Sequence, residues 1–232
     1  MKRKILCRIF AFFLAICGLF SAFGLKVAAI GVYRSVSLKT DKKQVALTFD
    51  DGPHPRLTKE ILAILKEYGV KATFFMIGEN VKTYPEIAKA VADAGHEIGN
   101  HTEKHRHISS LNESSLTQEL EACKDHIFEV CGVYPTLFRP PEGVTSAFVL
   151  KCAEKFSYPV ILWSIDTKDW EIKNTGKITD SVLSGIKPGA IILMHDYVGK
   201  NSKTPAALRA LLPRLLEQGY EFVTVSELLA VT

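Results

Sequence analysis

Two groups of side chains in this sequence have the types and spacing of a metal site. Asp50 and Asp51 follow an apolar run and precede a Gly-Pro pair, so two carboxylates lie side by side at a turn. His101 and His105 are four residues apart, which brings two imidazoles to one side of a helical turn. One carboxylate and two imidazoles leave coordination positions open for water and substrate. Asp51, His101 and His105 therefore predict a catalytic metal site, although Asp50-Asp51 alone also fits an ordinary Asp-Gly turn.

Arg139 precedes a stiff segment that would fix its side chain. It follows a short apolar run and enters Pro140-Pro141-Glu142-Gly143. A guanidinium held there would keep a buried carboxylate ionised and oriented, and Asp50 is the candidate partner. A surface arginine before a proline turn is the alternative interpretation.

His195 and the segment 166–170 are candidates for the remaining parts of a hydrolytic site. His195 ends an apolar run, which fits a general acid, but it also fits a buried histidine or one bonded only to Asp196. The segment from Asp166 to Trp170 contains two carboxylates and an indole. An indole at the mouth of a cleft would be a platform for a sugar ring, whereas a core tryptophan is the competing interpretation.

The basic character of the sequence is confined to its N-terminus. The 232 residues have a formal net charge of +4, but residues 1–26 contain five basic residues and no acidic ones. The remainder has a formal charge of −1, which argues against a nucleic-acid partner. The cationic start and the uncharged apolar run Ile9–Leu25 predict a membrane-anchoring helix, with the following domain outside the cytoplasm. A secreted protein with a signal peptide cleaved near Val27-Ala28-Ala29 is the alternative.

The length leaves room for one domain after this segment. We predict an anchor or signal at 1–30, a linker at 31–43 and one catalytic domain at 44–232. Three domain cysteines permit at most one disulfide, and buried free thiols are the simpler expectation for Cys123, Cys131 and Cys152. No protein partner is predicted.

Short apolar runs alternate with amphipathic helical patterns along the domain. We predict strands at 45–49, 72–77, 97–100, 137–139, 160–164, 190–194 and 222–225. Helices are predicted between them, at 57–68, 85–94, 114–130, 146–156, 178–186 and 205–218. The alternation predicts an α/β fold with a parallel sheet of about seven strands. Because the polar candidates all end strands, we favour a distorted (β/α) barrel, which gathers strand ends at one face, over an open sheet.

Five segments in order resemble the motifs of polysaccharide deacetylases, the carbohydrate esterase family that includes chitooligosaccharide, peptidoglycan and xylan deacetylases. The resemblance covers about residues 44–226, and its motifs are residues 48–53, 101–105, 139–143, 166–170 and 193–195. It implies a distorted, often incomplete (β/α) barrel. It also implies a metal-dependent N-deacetylase that releases acetate from the N-acetylated sugars of a glycan, with peptidoglycan or a chitin-like oligosaccharide as the expected substrate.

The resemblance assigns catalytic roles to the matching positions. It implies that Asp50 is the general base and that His195 is the general acid. Arg139 would orient Asp50, and Asp166 would tune His195. One divalent metal ion, zinc or else cobalt, nickel or manganese, would be held by Asp51, His101 and His105.

The resemblance also implies a substrate-binding set, which consists of Pro140, Glu142, Trp170 and Leu193. Trp170 and Leu193 would form the wall around the acetyl methyl group, and the backbone N–H of Glu142 would donate to the oxyanion. Glu142 departs from the family pattern, which usually has an aromatic residue there, and it places a negative charge beside the cleft. Arg106 replaces a common proline after His105.

Other functions remain open at the level of sequence. A catalytically silent glycan-binding module on the same scaffold would lack the base or a metal ligand, but Asp50, Asp51, His101 and His105 are all present. Hydrolysis of O-acetyl xylan or of a non-sugar amide is a further alternative. Short loops and Trp170 favour an extended glycan over a small amide.

Overall fold

The computed structural model describes residues 30–197, 199 and 201–231. The predicted membrane anchor or signal segment at 1–30 therefore lies almost entirely outside the described residues. Within the described part of the chain, no helix is long and apolar enough to cross a membrane.

Eight helices surround the sheet in the described part of the chain. Each long helix has one buried apolar face, as the sequence periodicity predicts. In chain order the helices are α1 Leu57–Tyr68, α2 Gly78–Thr83, α3 Pro85–Asp93, α4 Glu113–Cys131, α5 Ala147–Lys155, α6 Thr175–Gly185, α7 Thr204–Glu217 and α8 Val225–Ala230.

The strands form a mostly parallel sheet centred on one long buried strand. They are β1 Val32–Tyr33, β2 Lys43–Asp50, β3 Thr73–Met76, β4 Glu97–Asn100, β5 Val160–Ile161, β6 Ile165–Asp166, β7 Ile191–His195 and β8 Tyr220–Val223. The main sheet has the order β4-β3-β2-β7-β6, with β8 also on β2. Residues 45–50 of β2 are all buried, as expected for a parallel strand covered on both faces.

Irregular pairings join the two edges of this sheet. Phe138 bridges Asn100 to Val160, β5 pairs with β1, and Ser35 bridges to Ala190 beside β7. The pairing is consistent with the distorted barrel that the sequence predicts. The carboxyl ends of β2, β4 and β7 lie at one edge, where the candidate residues are gathered.

The predicted strand at 137–139 is reduced to isolated bridges at Phe138. Pro135 and Pro140 flank this segment, and a proline cannot donate to a strand ladder. The predicted strand at 160–164 is shortened to β5, whose regular pairing ends at Ile161, and a separate short strand, β6, begins at Ile165.

Two helices were absent from our prediction. The six residues of α2 are too few for a clear apolar periodicity. At α8 the predicted strand 222–225 should end at Val223, because Thr224 and Glu227 form a capping box that starts the helix. A Thr-x-x-Glu pattern before an apolar run is a recognisable sign of a helix start.

The segment predicted as a linker, residues 31–43, packs against the domain through its first half. β1 pairs with β5, Val36 is buried, and its N–H donates to the carbonyl of Gly189. The first half of the expected linker is therefore part of the domain, because β1 extends the sheet beside β5 and the side chain of Val36 is buried. Cys123, Cys131 and Cys152 are buried free thiols, as predicted.

Candidate active site

Three side chains converge at the carboxyl ends of β2 and β4. Asp51 directly follows β2, while His101 and His105 follow β4. The Nε2 atoms of His101 and His105 lie 3.4 and 3.3 Å from Asp51 Oδ1, respectively. All three possible ligand atoms lie within 4.8 Å of one another. The structure thus brings together the three residues that the sequence predicts as metal ligands.

The donors of this cluster fit a divalent cation. Asp51 Oδ1 is buried without a hydrogen-bond partner among the described residues, so it has an unused electron pair. His101 Nδ1 lies 2.6 Å from the carbonyl oxygen of Arg139 and donates to it, so Nε2 is the nitrogen available to a metal, and it is directed at Asp51. A hydrogen bond of this kind on the far nitrogen is typical of histidines that bind metal.

The protonation of two members also suits a metal site. Burial raises the pKa of Asp51, but contact with His101 and the nearby charges of the three histidines lower it below its usual value. Burial and the charge of His101 lower the pKa of His105 below its usual value. Asp51 is therefore ionised and His105 is neutral near pH 7, which are the forms that bind metal.

The two histidines do not share a helical turn, as their spacing suggested. Residues 101–107 form a loop in which Thr102 and His105 have positive φ angles of 67° and 48°. Asp51, Glu142 and Lys168 also have positive φ, so five of the six such non-glycine residues in the described part of the chain lie in the segments that carry the predicted site residues. Backbone held in this sparsely populated region is common at functional sites.

Asp50 and Arg139 form a buried ion pair beside the cluster, which confirms the predicted partnership. Arg139 is 0% exposed, and its Nη1 donates to Asp50 Oδ1 over 2.7 Å. The same nitrogen donates to Thr48, while the rest of the guanidinium donates to the carbonyls of Ile161 and Leu162. Asp50 Oδ2 remains on the side of His101, 3.8 Å from its Nε2. Asp50 thus presents one oriented oxygen toward the cluster.

His195 lies across the strand ladder from Asp50 and is oriented by a buried carboxylate. Asp50 and His195 are register partners on β2 and β7, so their side chains point to the same face of the sheet. His195 Nδ1 bonds to Asp169 Oδ1 at 2.7 Å, and Asp169 Oδ2 accepts from the His195 backbone and from Thr204. Burial lowers the pKa of His195, but Asp169, Asp50 and Asp51 together raise it to about 9. His195 is therefore a protonated acid at neutral pH.

The expected role of Asp166 is corrected to Asp169. Asp166 Oδ1 accepts from the backbone of Lys168 and makes no contact with His195 in the described structure. Asp166 ends β6 and Asp169 follows it, and the sequence alone could not tell which of them turns inward. Asp169 is completely buried, and Thr204 at the start of α7 fixes its second oxygen.

Comparison with known proteins assigns this arrangement to a family. The family model for polysaccharide deacetylase matches residues 37–161. A peptidoglycan-N-acetylglucosamine deacetylase of Bacillus cereus is 42% identical over 85% of this chain and 93% of its own length. The chain belongs to the polysaccharide deacetylase family. The family model and this relative are both named as deacetylases, and on this likeness the chain is a hydrolase of the class that acts on carbon–nitrogen bonds.

Solved structures of the family have the same fold. A peptidoglycan N-acetylglucosamine deacetylase in complex with a substituted benzamide is 35% identical, with a TM-score of 0.82 over 88% of this chain and 94% of its own. A pseudoenzyme of the same carbohydrate esterase family from Bacillus anthracis is 33% identical, with a TM-score of 0.78 over 85% of this chain and 68% of its own. The fold therefore does not by itself distinguish active from silent members.

The predicted substrate-binding residues of this family member lie around the site at different depths. Pro140 and Leu193 are buried, whereas Trp170 is 52% exposed, so Trp170 is not a core residue. Glu142 Oε1 bonds to Nδ1 of His107 at 2.7 Å, and both side chains lie at the rim. Glu142, which departs from the family pattern, is therefore bonded to His107 on the loop that contains the metal ligands.

Two further residues hold that loop and were missing from our predictions. Asn100 accepts from the backbone of Thr102 and donates to the carbonyl of Leu120 on α4. Glu119, also on α4, accepts from the backbone of Lys104. The only sequence signals are the place of Asn100 directly before His101 and the place of Glu119 among the buried positions of α4, and nothing local identifies their partners.

Proposed function

We propose that this chain is a metal-dependent N-deacetylase of a cell-wall glycan. The observation that supports this most directly is the grouping of the Asp51-His101-His105 cluster with two oriented groups that can transfer protons, Asp50 and His195. A divalent ion in the cluster, for which zinc is our proposal, would polarise the acetamide carbonyl and lower the pKa of a water molecule.

In the proposed reaction Asp50 is the general base. Its carboxylate is oriented by the buried guanidinium of Arg139, and one oxygen faces the cluster. It accepts a proton from water as the water attacks the acetamide carbon. The backbone N–H of Glu142 donates to the developing oxyanion.

His195 is the general acid of the proposed reaction. It is protonated below about pH 9, and Asp169 holds Nδ1 so that Nε2 delivers the proton. The proton goes to the sugar nitrogen as the carbon–nitrogen bond breaks, and acetate leaves. The attack needs no serine nucleophile and gives no covalent intermediate on the protein.

The proposed substrate is an N-acetylated sugar of peptidoglycan, with a chitin-like oligosaccharide as the second candidate. The support is the activity of the relative from Bacillus cereus, together with the exposed indole of Trp170 beside the site. We further propose that the enzyme works outside the cytoplasm, anchored by residues 1–30 or secreted after their cleavage, because their cationic and apolar sequence is typical of such segments.

A catalytically silent glycan-binding role is the second candidate, because a solved neighbour is a pseudoenzyme. In this chain the base, the acid and all three metal-binding positions are present at one edge of the sheet. The geometry therefore supports turnover.

The decisive experiment measures acetate release from purified peptidoglycan and from chitin oligosaccharides, before and after chelation. We expect metal-dependent release from at least one of them. Asp50→Asn should lower kcat by about 10²–10⁴, since general base catalysis contributes this much, while the bound metal content stays unchanged. Unaltered turnover by Asp50→Asn, or full activity in metal-free protein, would contradict the mechanism.

A further inference from the structure

Tyr197 is an exposed aromatic residue beside the proposed acid, and the reaction described above does not use it. It lies two residues after His195, and 48% of its surface is exposed. One face of its ring stacks on the imidazole of His54, with centroids 4.8 Å apart and planes 18° from parallel. Tyr197 is therefore held flat against a support and still has much of its ring open to solvent.

The support under Tyr197 is itself fixed. His54 Nδ1 accepts from the backbone N–H groups of Arg56 and Leu57, at the start of α1. An acceptor nitrogen requires the neutral ring, and burial together with the charge of Arg56 lowers the pKa of His54. The imidazole therefore caps a helix, and its orientation does not depend on ligand. Binding to Tyr197 then costs little conformational entropy.

The segment that contains Tyr197 is tied to the catalytic edge. The N–H of Asp196 donates to the carbonyl of Asp50. The Oδ2 atom of Asp196 accepts from the hydroxyl of Thr58 on α1 at 2.5 Å. The length of the connecting chain limits the Cα atom of Tyr197 to roughly 7 Å from that of His195. It limits the Cα atom of His54 to roughly 11 Å from that of Asp51. The stacked pair thus lies at the same edge of the sheet as the proposed acid and the metal cluster.

Exposure and stacking alone would not indicate a binding site. Tyr134 is also exposed, at 56%, and stacks on Phe128 with ring centroids 4.1 Å apart. It precedes the bridge at Phe138, so it lies toward the amino ends of the strands, away from the catalytic edge. Tyr197 differs from Tyr134 in its position at the catalytic edge. A flat aromatic face matches the apolar C–H face of a pyranose ring, and the Tyr hydroxyl can bond to a sugar hydroxyl.

We propose that the platform formed by Tyr197 on His54 binds a pyranose ring adjacent to the reacting sugar, and so makes the enzyme selective for extended glycan chains. This inference rests on the proposed deacetylase function and specifies its substrate as a chain instead of a single sugar.

The test compares a short with a long N-acetylglucosamine oligomer, by kcat/KM for acetate release and by calorimetric binding. In Tyr197→Ala we expect the long-to-short ratio of kcat/KM to fall roughly tenfold, mainly through KM, as loss of about one aromatic contact implies. Tyr197→Phe, which keeps the ring face, should restore most of the preference. Tyr134→Ala is the matched control, and thermal unfolding verifies that all variants are folded.

An unchanged long-to-short ratio in Tyr197→Ala would overturn the platform, and so would an equal loss in Tyr134→Ala. A silent wild-type enzyme would instead contradict the proposed function. In that case calorimetry still decides the platform, because Tyr197→Ala must weaken binding of the long oligomer for the proposal to stand.

Discussion

At the scale of single residues, the site depends on two buried ion pairs that orient its proton-transferring groups. Asp50 contacts the guanidinium of Arg139, and His195 contacts the carboxylate of Asp169. Burial lowers the pKa of His195, but Asp169 and the nearby Asp50 and Asp51 raise it to about 9. Arg139 and Asp169 thus orient a carboxylate and an imidazolium in one site, as general acid–base hydrolysis requires.

Replacing Asp169 by Asn should move the alkaline limb of the pH–rate profile to lower pH. The carboxylate is a main reason why the pKa of His195 is raised to about 9. The acid form is needed for turnover, so activity should fall as pH rises through this pKa, and a lower pKa brings the fall earlier. The measurement is kcat against pH from about 6 to 10, which covers both the ordinary histidine pKa of about 6.5 and the raised pKa of His195, about 9.

Asp166→Asn is the control for this prediction, because Asp166 contacts the backbone of Lys168 and not His195. Its alkaline limb should coincide with that of the wild type. Equal shifts in the two variants would mean that general charge around β6, and not the Asp169 contact, sets the pKa.

At the scale of elements, the N-terminal segment is attached to the barrel through a close backbone approach. Val36 donates to the carbonyl of Gly189 over 2.8 Å, just before β7. Gly189 has a φ of +83°, and a Cβ there would overlap the carbonyl oxygen of Val36. Glycine is required at this position both for its conformation and for the space.

Gly189→Ala should lower the free energy of unfolding by about 2–4 kcal/mol, from overpacking together with a strained φ. Gly219→Ala is a matched control, because Gly219 has a φ of +79° but a Cβ added there would have nothing within 4 Å. It should cost only about 1–2 kcal/mol. Denaturant unfolding of both variants separates the steric clash with Val36 from the strain of the positive φ. Equal losses in the free energy of unfolding would show that the contact with Val36 adds no constraint.

At the scale of the whole molecule, elements distant in sequence share one site. The metal cluster joins β2 to the loop after β4, the base depends on Arg139, and the acid depends on Asp169 and on Thr204 of α7. A cation bound to this cluster must stabilise the entire fold, because the unfolded chain does not hold the three ligands together.

Zinc ions at about a hundred times their dissociation constant should stabilise the protein by about 2.7 kcal/mol, or raise Tm by roughly 5–10 °C. Asp51→Asn should remove most of this shift. His107→Ala should retain it, because His107 belongs to the same loop but lies outside the cluster. Scanning calorimetry with and without zinc makes the comparison, and an undiminished shift in Asp51→Asn would place the ion elsewhere.

The sequence by itself determined the residues that are identified by type and by their place after an apolar strand. Asp50, Asp51, Arg139 and His195 could be recognised because strand ends in a parallel sheet meet at one edge. The same logic predicted the mostly parallel α/β fold and most of its helices, since apolar periodicity is a local property.

Only the tertiary structure decided which of several side chains of similar type makes a given contact in the site. Asp169 instead of Asp166 meets His195, Asn100 and Glu119 support the loop of the metal ligands, and Tyr197 stacks on His54. Each of these choices depends on the direction in which a side chain leaves the backbone. That direction is fixed by contacts with elements remote in sequence, so a local pattern cannot specify it.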